Sequence, residues 1–216
     1  MKLCYKIIMD ISNAVTVTMK RIFRVSSIPV LVLLLANSAS SQAINCLDCH
    51  KDLTEGRVVH AAVQMGCESC HAGVDASAIP HKFTGKKGLK EEAPKLCYQC
   101  HSKDEFTKKS QHAPVAGGMC LSCHVPHSGP NNSLLTKEPS QLCRQCHEDI
   151  FTKPHLMVGS PPHAHPLTGL KDRQRKGKPF NCLSCHVPHS SEWGKLFRYE
   201  AQNTDGLCKH CHEFLQ

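Results

Sequence analysis

The longest largely apolar run in the chain is Ile28 to Ala36, IPVLVLLLA. A basic stretch (Lys20, Arg21, Arg24) precedes it and the small-residue end Ser41-Gln42-Ala43 follows, the order expected of a secretory signal peptide. A membrane anchor would need roughly 20 apolar residues, and this run is under half of that. The first cysteine after the run is Cys46, which belongs to a Cys-x-x-Cys-His motif and is therefore not read as a lipid-anchoring cysteine. Residues 1–43 are therefore expected to be removed. Met1 to Thr18, which include Cys4, have no secretory logic, and Met19 is read as the true initiator. Beyond residue 43 the alternation of a strand is absent, and the sequence's 13 Gly and 13 Pro favour loops. Short helical segments are expected at Ser102–Gln111 and Glu148–Lys153, each following a cysteine-rich motif.

That motif, Cys-x-x-Cys-His, recurs seven times and is the attachment signature of c-type haem. The copies are Cys46/Cys49/His50, Cys67/Cys70/His71, Cys97/Cys100/His101, Cys120/Cys123/His124, Cys143/Cys146/His147, Cys182/Cys185/His186 and Cys208/Cys211/His212. Two thiols add across the haem vinyl groups, and the His that follows is delivered to iron as its proximal ligand. Zinc ribbons need two Cys pairs per metal and no fixed residue after the second Cys. Here His follows every time, and seven pairs would leave one without a partner. A disulfide framework does not demand the His either. The motifs take fourteen of the fifteen cysteines, leaving only Cys4.

Haem changes the meaning of the charge. The formal net charge is +8, which alone would suggest an anionic partner such as nucleic acid. Residues 1–43 hold five basic residues and one acid, so the remainder carries +4. Seven haems bring fourteen propionates, so the basic surplus is read as partly neutralising them, and no nucleic-acid partner is expected. Aromatic content is 5%, too low for a conventional core. Residues 44–216 provide 173 residues for seven haems, so each porphyrin must itself act as core, and folding is coupled to its attachment. The expected fold class is mainly irregular with short α-helices, organised by haem, with little or no β-sheet.

The flanks repeat as well. Cys120 to Ser128, CLSCHVPHS, recurs letter for letter at Cys182 to Ser190. Residues 45–84, 96–128 and 142–190 read as two-motif modules, and 207–216 as a half-module. These flanks resemble the doubled Cys-x-x-Cys-His family of multihaem cytochromes c. The resemblance implies close-packed haems in a row, mostly with two His ligands per iron, and an exported electron carrier of anaerobic or metal respiration. The first module lacks the Val-Pro-His tail after His71, and the last is half-length.

Counting histidines gives the same ligand type independently. Nine lie outside the proximal positions. His210, between the cysteines of the last motif, is read as a surface residue. Each module then has two spare His for its two irons: His60 and His81, His112 and His127, and His189 with one of His155, His163 and His165. His127 and His189 follow a proximal His by three residues across a proline, which favours reaching a neighbouring haem over their own. Met65 and Met119 sit tight against attachment cysteines and are badly placed to ligate. The half-module leaves the sixth ligand of the His212 iron to the trio in the long insertion, to another subunit, or open.

The functional expectation is a periplasmic or extracellular seven-haem electron carrier with no catalytic residues and low potentials, since no thioether ligand raises them. Its partners would be redox proteins: a quinol-oxidising donor, other cytochromes or an outer-membrane conduit. The alternatives are a reductase of a small oxyanion or nitrogen oxide with one open haem, and a self-associating, filament-forming cytochrome. Lys171 to Lys178, KDRQRKGK, reads as a solvated loop or as a docking patch for an acidic partner.

Overall fold

The computed structural model describes residues 44–86, 88–152 and 169–212. The signal-peptide reading of 1–43 and the candidate ligands His155, His163 and His165 lie outside them. Within them the longest helix, Pro139–Arg144, has six residues, and most turns of helix are three or four residues long. Strands are two residues each and form three antiparallel ribbons: β1 (Val58–Val59) with β5 (Ser128–Gly129), β2 (Val74–Asp75) with β3 (Lys82–Phe83), and β4 (Ser110–Gln111) with β6 (Ser190–Ser191). The fold is mainly irregular, with short helices and little sheet.

Among the described residues only Leu207 is a buried hydrophobic side chain. The other buried side chains among them are polar: Asp172, Ser184, Ser190 and Ser191. Met65, Met119 and Leu121, beside attachment cysteines, are each more than half exposed, at 66%, 56% and 57%. A chain with so little buried apolar surface cannot offset its backbone entropy by side-chain packing alone, which agrees with porphyrin serving as core.

Only one of the two expected helices forms. Asp149–Thr152 is helical. Ser102–Gln111 is instead a turn at Lys103–Glu105 followed by β4, which pairs with Ser190 and Ser191 far along the chain. The buried Ser190 hydroxyl donates to the Glu105 carbonyl at 2.8 Å and accepts from the Lys108 amide at 3.2 Å. These bonds satisfy backbone groups that a helix would have used, so tertiary pairing overrides local propensity.

Candidate haem-binding sites

Each attachment motif folds as one closed turn. In all seven, the amide of the His donates to the carbonyl of the first Cys at 2.9 to 3.0 Å. A helical turn places positions i, i+3 and i+4 on one face, so both thiols and the imidazole leave from the same side. Cysteine spacing and adjacent His thus follow from one element of backbone geometry.

Three second cysteines, Cys49, Cys100 and Cys146, lie at the surface. Cys49 is one of them, and its amide donates to Cys46 O at 3.2 Å to close the first turn. Cys100 and Cys146 are free thiols. Cys100 closes the turn Cys97–Gln99, and Cys146 stands just past the helix Pro139–Arg144. With almost no buried apolar side chains in the described residues, the chain does not enclose these two sulfurs by itself.

The repeat HVPHS has a role at nearly every letter. After His124 the chain turns and returns: the Val125 amide donates to Leu134 O, and the Thr136 amide to Cys123 O. Val187 with Leu196, and Arg198 with Cys185, repeat the arrangement. The returning strand aims a carbonyl at the proximal ring: Ser133 O lies 2.9 Å from His124 Nδ1, Lys195 O 2.8 Å from His186 Nδ1, and Gly88 O 3.1 Å from His71 Nδ1. Holding Nδ1 as the donor leaves Nε2 with its lone pair free for a metal. Ser133, Leu134, Lys195 and Leu196 adopt positive φ of 55° to 59° to do so. Such left-handed conformations are costly for residues with a Cβ. Two tandem pairs at equivalent places mark positioning residues that no motif spelled out.

The remaining letters build the other side of the site. Ser128 accepts from the Gly56 amide at 3.1 Å, as Ser190 does from Lys108. His60 donates through its amide to His127 O at 2.7 Å, and His112 to His189 O at 3.0 Å. The Pro126 carbonyl lies 2.9 Å from His60 Nδ1, and the Pro188 carbonyl hydrogen-bonds His112 in the same way. The β1–β5 and β4–β6 ribbons therefore each carry two histidines at one end.

Five proximal rings face five of the expected distal rings. His50 faces His81, His71 faces His127, His101 faces His60, His124 faces His189 and His147 faces His112, with ring centroids 5.8 to 6.2 Å apart. Two imidazoles trans on one iron, each with a bond of about 2 Å as imidazole makes to other first-row metals, hold their centroids roughly 6 Å apart. The residues present thus fit haem with two axial histidines, and each facing pair would hold one iron. Burial, with the charge of neighbouring imidazoles second, holds His112, His127 and His189 below the ordinary histidine pKa. Their neutral form, the one that ligates metal, is favoured.

These pairs do not respect the modules read from sequence. Only His50 with His81 lies inside one. His127 crosses back to His71 and His60 forward to His101, both from the β1–β5 ribbon. His189 and His112, on the β4–β6 ribbon, cross in the same way to His124 and His147. The leading cysteines keep the other register: Cys46 meets Cys67, Cys97 meets Cys120 and Cys143 meets Cys182, each as free thiols in hydrogen-bond contact. Attachment points link motifs one way and the facing histidines link them the other, so the first six motifs are interlaced.

The last motif is held differently. His210 is not simply a surface residue. Its half-buried ring stacks on Tyr199 at 4.9 Å, and its Nε2 donates to the Glu200 carbonyl at 2.9 Å. Nor is residues 171–178 simply a solvated loop. Asp172, 6% exposed, accepts from the Gln174 and Arg175 amides at 2.9 and 2.8 Å and from Arg175 Nε at 2.6 Å. Burial opposes its ionisation, but hydrogen bonds from Ser184 and Arg175 outweigh that and bring its pKa to about 2. A carboxylate with a folded pKa below its unfolded value of about 4 stabilises the fold above that value and loses the contribution as pH falls through the folded one. The stability difference between the protein and Asp172→Asn is accordingly expected to be full at neutral pH and to shrink between about pH 4 and pH 2, as followed by thermal melts across that range.

The family described as the doubled CXXCH motif matches residues 60–106, 112–151 and 175–216, each span holding two motifs and the three together more than half of the chain. The chain belongs to that family. It is a multihaem c-type cytochrome, and its activity is electron transfer. The matched spans join the Cys67 motif to the Cys97 motif, Cys120 to Cys143, and Cys182 to Cys208. For the first two spans this is the register in which the ribbons serve the proximal histidines. No curated protein matches the chain. Among the described residues no helix is long and apolar enough to cross a membrane.

Proposed function

We propose that the protein is an exported seven-haem carrier that passes electrons singly between a reduced donor and a terminal acceptor or outer-membrane conduit in anaerobic or metal respiration. Residues 1–43 direct export, and residues 44–216 form the haem-bearing unit. The single observation that supports this most is the set of five facing histidine pairs at 5.8 to 6.2 Å. An imidazole from the protein on each side would leave no iron at those five sites open to a substrate. When bound, haem supplies one-electron chemistry, at low potential where both axial ligands are imidazole. The chain's own part is to space the sites, to orient each ring through a backbone carbonyl and to exclude exchangeable ligands. Periplasmic or extracellular redox proteins are its partners.

The test is a haem-to-protein ratio and an optical spectrum of the dithionite-reduced holoprotein before and after carbon monoxide. Seven haems with no spectral change are expected for an electron wire with every iron six-coordinate. A ratio well below seven would overturn the attachment assignments, and a change in several haems would move the protein to the reductases.

A further inference from the structure

Residues 171–178 hold five basic residues and one acid. The fold spends that acid on a single inward base. Arg175 pairs with Asp172, and its Nη2 donates to Ser184 Oγ at 3.1 Å and Asn181 Oδ1 at 3.3 Å. The other four, Lys171, Arg173, Lys176 and Lys178, remain exposed.

The loop is also pinned. The Asp172 amide donates to Lys178 O and the Lys178 amide to Arg175 O, both at 3.0 Å, so the base of the loop is closed. Its tip rests on the last motif: Arg173 Nη1 donates to Cys211 O at 2.9 Å, and Gln174 Nε2 donates to His210 O. Lys209, between those motif cysteines, is exposed and adds a fifth cation. Glu200, whose carbonyl holds His210, sets one negative charge against them.

We propose that residues 171–178 are a docking surface for an acidic redox protein, and that the last motif, Cys208 to His212, is where the electron crosses. The inference rests on the cytochrome reading of that motif. A preformed cationic surface raises the encounter rate of an anionic partner without requiring tight binding. Because the loop is already ordered by Asp172, docking does not have to order it. Its contact with an attachment motif favours a redox protein over nucleic acid or lipid. One electron crosses per encounter, the partner being oxidised and the cytochrome reduced or the reverse, and no bond is made or broken.

The experiment compares the haem-loaded protein with its K171E/K176E/K178E variant, leaving Arg173 and Asp172 in place. Oxidised cytochrome is reduced by photoreduced flavodoxin, an acidic flavoprotein, and separately by neutral photoreduced lumiflavin. At about 10 mM ionic strength the variant is expected to react with flavodoxin at least about tenfold more slowly. The difference should close toward about 0.3 M, where screening shortens the reach of charge, while the lumiflavin rate and haem content stay unchanged. Equal flavodoxin rates would overturn the proposal. So would an equal slowing with lumiflavin, because the cations would then serve the haem itself. Lysine-dependent sedimentation with phosphatidylserine vesicles at an unchanged flavodoxin rate would assign the patch to lipid. Failure of the underlying cytochrome reading shows separately, as an unmodified Cys208 to His212 peptide in mass spectra of the wild-type protein.

Discussion

His127→Ala is expected to open one haem to carbon monoxide, and that haem is the one attached at Cys67 and Cys70, not the one beside His127 in sequence. The ring of His127 stands 6.1 Å from that of His71, with planes 16° apart. Its own motif's His124 instead faces His189, at 5.8 Å. Removing the imidazole leaves one iron five-coordinate, so about one haem's worth of the reduced spectrum should shift on carbon monoxide. His127→Met keeps six ligands but exchanges imidazole for thioether. It should raise one potential by on the order of 0.1 V, a fraction of the roughly 0.8 V that axial ligation spans. Assigning the altered haem by paramagnetic NMR decides the matter: a change at the Cys120/Cys123 haem would mean that the chain is not interlaced as the ring pairs indicate.

Gly56→Ala should disturb two haem sites at once. A Cβ at residue 56 would stand 2.5 Å from the Gly129 amide nitrogen, a backbone atom that cannot swing away. The conflict prises apart the β1–β5 ribbon, whose end carries both His60 and His127. Overpacking of this kind costs about 1–3 kcal/mol, and here it falls on the partners of His101 and His71 together. The expected outcome is a lower melting temperature and partial carbon monoxide reactivity at two haems. Gly194→Ala, where nothing lies within 4 Å of the new methyl, serves as control and should behave as wild type. Two unaffected haems in Gly56→Ala would show that the ribbon does not position these rings.

Much of the site was legible because it is local. The seven turns need only a cysteine, a cysteine three residues on and a histidine next to it, all on one face of one turn. The five singleton histidines could be counted as spare ligands, and all five do face proximal rings. What escaped was non-local. Ser102–Gln111 reads as a helix from its own residues, yet Ser190 and Ser191 draw its end into a strand. The exposure of Cys100 and Cys146 depends on what packs over their turns, not on the motif letters. The paired left-handed residues Ser133-Leu134 and Lys195-Leu196 carry no glycine to announce them. A two-residue ribbon is too short to show alternation. His210 and Asp172 take their roles from Tyr199, Arg175 and Ser184, residues chosen by the fold and not by spacing.

The chain's own order of residues was enough to determine that this protein carries seven haem-attachment motifs, that it holds spare histidines to match them, and that it builds almost no apolar core. Those properties are written within a few residues or follow from composition, so no contact between distant segments is needed to read them. Which histidine faces which, and which way the basic loop lies, were decided only by tertiary structure. Antiparallel pairing of Val58 with Gly129 and of Ser110 with Ser191 carries distal rings from one module to the proximal rings of another. Backbone hydrogen bonds between two-residue strands are indifferent to side-chain type. The crossing is therefore encoded by where the whole chain can close around its sites, not by any segment read alone.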